Sequence, residues 1–89
     1  MITLKKIVLD VLKPHTPDAI SFAKAIANIG PGYQVQLVVL EMDENTQTLE
    51  LEVSAAAIDF DAVQKTLQEL GASLHSIDEV DVINEPETT

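Results

Sequence analysis

The 89-residue sequence predicts an α+β sandwich whose elements follow the order βαββαβ. Two observations predict it. Four segments, near 2–12, 35–42, 48–53 and 73–83, are rich in β-branched and aliphatic residues at strand spacing, with the cleanest apolar–polar alternation over 48–53. Two further segments carry apolar residues at helical spacing, and each runs into a glycine.

The first strand is read over 2–12, where Ile7, Leu9 and Val11 share one face and Lys6 and Asp10 the other. Pro14 stops it. Thr16-Pro17-Asp18 then reads as a helix start, with a hydroxyl cap, a proline at the first helical position and a carboxylate at the positive end of the dipole. Ile20, Phe22, Ala23, Ile26 and Ala27 give that helix a broad apolar face, and Gly30-Pro31-Gly32 ends it. Val35, Leu37 and Val39 mark the second strand, and Asp43-Glu44-Asn45 its turn. In the third strand Leu49, Leu51 and Val53 alternate with Thr48, Glu50 and Glu52. Asp59 caps the second helix, whose apolar residues are Phe60, Val63, Leu67 and Leu70, and Gly71 provides its exit. The fourth strand covers 73–83. One domain therefore spans 1–83, and 84–89 reads as a polar, flexible tail.

This order is the split βαβ arrangement of ferredoxin-like domains, with an antiparallel sheet ordered 4-1-3-2 and both helices on one face. Two details bear on the sheet. In the second strand Val38, Leu40 and Met42 alternate too, so a strict strand would make its outer face apolar and in need of a cover. In the fourth, Ile77 and Val80 fall on opposite parities, and a bulge near Asp78 and Glu79 would bring them to one face.

Composition narrows function. Fifteen acidic residues face five lysines and no arginine, for a net charge of −10. That field repels phosphate backbones and anionic lipid surfaces, so neither nucleic acid nor membrane insertion is expected. It suits solubility, a cation or a basic protein partner. The absence of cysteine removes disulfides and thiolate metal sites. With no apolar run of about 20 residues and no N-terminal signal pattern, the expected location is cytoplasmic.

In the predicted topology the end of strand one, the start of strand four and the turn between strands two and three meet at one end of the sheet. Both histidines and several charged residues gather there: Asp10, Lys13, His15, Glu41, Asp43, Glu44, His75, Asp78 and Glu79. Crowded carboxylates repel, and a cation relieves them. Oxygen donors favour Ca²⁺, Mg²⁺ or a lanthanide, while imidazole extends the choice to Mn²⁺, Zn²⁺ or Ni²⁺. Each residue also has an ordinary role open to it. His15 could lead into the helix, Asp10 could pair with Lys6 or Lys13, and Asp43 and Glu44 suit a turn. No chelating motif with local spacing is present.

Catalysis is not expected. Ser76 and His75 are strand neighbours and point apart, so they form no nucleophile–base pair. Gly30-Pro31-Gly32 lacks the lysine and hydroxyl residue of a phosphate loop.

The segments Ile7-Val8-Leu9-Asp10-Val11-Leu12-Lys13-Pro14-His15 and His75-Ser76-Ile77-Asp78-Glu79-Val80, with Glu41-Met42-Asp43 before the turn, resemble the domain of unknown function 211 family. The resemblance covers nearly the whole chain. It implies a ferredoxin-like fold and an oligomeric, ring-shaped assembly, and it supplies no activity. Because the matching segments contain Asp10, His15, Glu41, Asp43, His75, Asp78 and Glu79, the resemblance ranks these as metal ligands above Glu44, Glu50 and Glu52. The expectation is a non-enzymatic homo-oligomer that binds a divalent or trivalent metal ion. The alternatives are a regulatory module holding a small molecule between subunits and an acidic adaptor for a basic protein.

Overall fold

Alternating aliphatic residues carry strand β1 over Ile2–Pro14, and the chain then builds α1 (Ala19–Ala27), β2 (Gln34–Met42), β3 (Thr46–Ser54), α2 (Phe60–Glu69) and β4 (Ser73–Asn84). The structure, a computed structural model, describes residues 1–86. The sheet is antiparallel in the order β2-β3-β1-β4, which is the ferredoxin-like arrangement. β1 lies in the middle of the sheet, between β3 and β4, and β2 and β4 are the edges.

Ile7, Leu9 and Val11 from β1 and Leu49, Leu51 and Val53 from β3 meet Phe22 and Ile26 of α1 and Val63 and Leu67 of α2 in one buried cluster. Both helices thus cover the same face of the sheet and leave the other open. Phe22 is the one fully buried aromatic in an otherwise aliphatic core.

The start of α1 departs from expectation in two respects: Pro17 precedes the helix instead of opening it, and the cap lies further along the chain. Asp18, not Thr16, caps α1: its carboxylate accepts from the Ser21 N–H at 2.8 Å, and its carbonyl takes the first helical bond from Phe22. A short charged acceptor two residues closer to the helix body meets the orphan donors directly. Asp59 caps α2 by accepting from the Ala62 N–H at 3.1 Å. The Asp59 N–H in turn donates to the Tyr33 hydroxyl at 2.8 Å, tying the start of α2 to the residue just before β2. Gly71, at φ +77°, makes the exit from α2.

Bulges set the faces of both edge strands. In β4, Leu74 pairs Val11, Ser76 pairs Asp10, Ile77 pairs Leu9 and Glu79 pairs Val8, so His75 and Asp78 are extra residues. The second of these bulges puts Ile77 and Val80, opposite Leu9 and Ile7, on the helix side together. The sequence pattern called for that bulge. In β2 the shift falls between Val39 and Glu41, leaving Leu40 as the extra residue. The expected outer stripe of Val38, Leu40 and Met42 is therefore corrected. Glu41 joins Val38 on the open face, and Met42 turns to the helix side.

β4 continues to Asn84, and Glu85 remains tied to the sheet. Its N–H donates to the Met1 carbonyl at 2.8 Å and its carboxylate meets Lys5 at 3.0 Å. The Lys5 contact holds the Glu85 carboxyl below its ordinary range. Residues 87–89 of the tail lie outside the described residues.

Candidate functional site

The open face is best read as rows across the sheet, because directly paired residues of antiparallel strands present side chains to the same side. One row runs Glu41, Thr48, Leu12 and Ser73. The next runs Val38, Glu50, Asp10 and Ser76, followed by Gln36, Glu52, Val8 and Glu79. The last holds Gln34, Ser54, Lys6 and Asp81.

Lys6 serves the third and fourth rows. Its ammonium lies 2.7 Å from Glu79 and 3.7 Å from Glu52. The bond to Glu79, and then the Glu52 charge, raise its pKa above the usual lysine value. The second row has no such partner. Asp10 sits directly across from Glu50, two like charges side by side in the middle of the sheet. Its Oδ1 is shut off from solvent and accepts no hydrogen bond among the described residues. Ser76, its neighbour on the other side, donates instead to Asp78 at 2.7 Å.

The histidine of the β1–α1 connection is engaged elsewhere. His15 Nε2 lies 3.0 Å from the Asp43 carbonyl and 3.1 Å from that of Glu44. Carbonyl oxygens only accept, so Nε2 carries the proton. The Asp43 carboxylate receives the Glu44 N–H at 2.9 Å and closes its own turn. Beneath them Lys13 is fully buried, donating to the Pro14 carbonyl at 2.8 Å and, at 3.4 Å, to the His15 carbonyl and the Gln47 side chain. Its ammonium also lies 5.7 Å from the centre of the Phe22 ring. Burial pushes its pKa down, and the charge of Asp18 opposes that shift.

The seven sequence candidates thus fall into separate groups. His15 and Asp43 come together as a hydrogen-bonded corner. Asp10 stands at the centre of the open face and Glu41 one row away on the β2 edge. Glu79 is held by Lys6, Asp78 by Ser76, and His75 is the exposed bulge residue. Among the described residues no three histidine, cysteine or acidic side chains converge to hold a metal ion. The residue the sequence ranking passed over is Glu50. Its alternation with Leu49 and Leu51 already assigned it to the outer face, but only the β1–β3 register makes it the neighbour of Asp10.

No helix among the described residues is long and apolar enough to cross a membrane. The sequence pattern of the DUF211 family, described as uncharacterized ArCR, matches residues 5–87. A curated relative, the uncharacterized protein MJ0319 of Methanocaldococcus jannaschii, is 35% identical over 77 residues, spanning 86% of this chain and 79% of the relative. With the motifs that flank Asp10 and His75 inside the matched region, the chain belongs to the DUF211 family.

Proposed function

We propose that the chain is a non-enzymatic, self-associating protein that takes up a metal cation at Asp10 and Glu50, with further ligands from a second subunit. One observation carries this reading: a carboxylate oxygen with no donor and no solvent, on the residue paired across the strands with Glu50. Such an arrangement is unfavourable until a cation sits on it. Oxygen donors suit Ca²⁺, Mg²⁺, Mn²⁺ or a lanthanide, and the exposed His75 nearby extends the range to Zn²⁺ or Ni²⁺.

Exposed edge residues support self-association. On β4, Ile77, Val80 and Val82 are 49%, 54% and 49% exposed, and on β2 Leu40 and Met42 are 60% and 65% exposed. Open edges lined by such residues are templates for pairing with another copy, head to tail, and a rotation that closes gives a ring.

The test is thermal unfolding of chelator-treated protein against a panel of these ions. One ion should raise Tm by roughly 10 °C or more at a hundredfold excess over its Kd. Asp10→Asn and Glu50→Gln should abolish the rise, while the ion-free Asp10→Asn protein should match or exceed the native chain by up to about 1 kcal/mol as the like-charge pair is relieved. A flat response to every ion contradicts the reading. A shallow groove of about 320 Å³ favours the alternative, a neutral small molecule. It lies between α2 and the start of β4, floored by Leu67 and Leu74 and rimmed by Gln64 and Gln68. Tm shifts from a metabolite panel, indifferent to chelator, would select it.

A further inference from the structure

The rows that cross the sheet end in matching chemistry on its two edges. On the helix side one row runs Val35, Val53, Ile7 and Val80, and the next Leu37, Leu51, Leu9 and Ile77. A third runs Val39, Leu49, Val11 and Leu74, so each begins on β2 and ends on β4 with an aliphatic side chain. On the open side Gln36 stands in the row of Glu79, Gln34 in that of Asp81 and Val38 in that of Ser76. Two carboxylates of β4 thus share rows with two carboxamides of β2, whose NH₂ groups donate to such oxygens. Residues 34–40 carry no charge at all.

Neighbouring strands are antiparallel throughout, so β2 and β4 run in opposite directions. A rotation about an axis along the strands therefore sets β2 of a second copy antiparallel beside β4, with the helices on the same side and the rows in line. We infer that copies of this chain join by that β4-to-β2 pairing, with Val80 beside Val35, Ile77 beside Leu37 and Ser76 beside Val38. The inference rests on the self-association reading and names its interface. In this register Met42, 65% exposed on the helix side, comes level with the groove between α2 and β4. Its unbranched thioether chain fills that groove over Leu67 and Leu74. The other edge pairings match less well. β4 against β4 sets Asp78, Glu79 and Asp81 beside the same residues of the second copy, and like charges placed opposite destabilise a sheet. β2 against β2 leaves Ile77 and Val80 of both copies in water. The β4-to-β2 contact uses the edges alone and leaves the face of Asp10 and Glu50 accessible.

The chain has no cysteine, so an introduced disulfide reads the register directly. Val38→Cys and Ser76→Cys, both at exposed positions, are mixed in equal amounts with chelator and oxidised mildly. Cross-linking between the two variants should exceed that of either variant with itself by about tenfold, since only the mixed pair lies within disulfide reach. Met42→Glu in the Val38→Cys chain should lower the yield of mixed product about tenfold. Thermal melts establish that each variant is folded, and sedimentation of the native chain reads its mass in parallel. Self-linked products in equal or greater yield overturn the pairing, as does a mixed product indifferent to Met42→Glu. A native chain that is oligomeric but gives no mixed product overturns this interface and leaves self-association standing. A native chain that sediments as a monomer at high concentration overturns both.

Discussion

Lys13 is the residue whose environment departs furthest from its chemistry. A fully buried ammonium is held by neutral oxygens, with no contacting carboxylate among the described residues. Its folded pKa is lowered by burial, so between that value and 10.5 the unfolded chain binds the proton that the folded chain has released. Stability therefore rises with pH through that window, and the cost of the buried charge is fully present below it. Urea unfolding at pH 8 and near pH 10.5 should show a gain in the native chain that Lys13→Met lacks. Equal pH slopes in the two proteins would refute this account of Lys13. Asp18 behaves in the opposite sense. The Ser21 N–H lowers its pKa, so its contribution is in place above 3.8 and is lost as pH falls through the lower folded value.

At the scale of elements, legibility followed alternation and caps. The apolar period of β3 and the spacing Phe60, Val63, Leu67 identify their elements without help from context. Of the two β4 bulges, the one at Asp78 was legible as well, because Ile77 and Val80 could share a face in no other way, whereas nothing in the pattern marked the one at His75. The β2 bulge was not, since Val38, Val39, Leu40 and Met42 fit a strand in either register and only pairing with β3 decides. The cap of α1 was misplaced for a local reason: Thr16 and Asp18 are both good capping residues, and geometry chose the carboxylate. Caps still predict energetics. Asp59→Ala should cost about 1 kcal/mol by urea unfolding, since it frees the Ala62 N–H at the start of α2. A change within error would mean that the Tyr33 contact and core packing hold that helix start without the cap.

For the whole molecule, the sequence carried the charge and the topology, and the topology determines where the charge falls. Helices on one face and a bulged β2 leave an open sheet whose centre is Asp10 beside Glu50. The end-of-sheet cluster read from the sequence separates because its members acquire nearer partners: turn carbonyls for His15, Lys6 for Glu79, Ser76 for Asp78. What stays unpaired is a residue at the middle of the sheet, which no spacing along the chain could have distinguished from its neighbours. In the proposed assembly, edge strands with half-exposed aliphatic residues would be where subunits meet.

The central claim, a cation at Asp10 and Glu50 in a self-associated protein, is tested most directly by native mass spectrometry. The native chain and Asp10→Asn would be purified without chelator or affinity metal, then incubated with the divalent and lanthanide panel. The account predicts an oligomer with a fixed number of ions per subunit for the native chain, and the same oligomer without ions for Asp10→Asn. A native oligomer that stays metal-free across the panel, or a variant that keeps its full complement of ions, would contradict it.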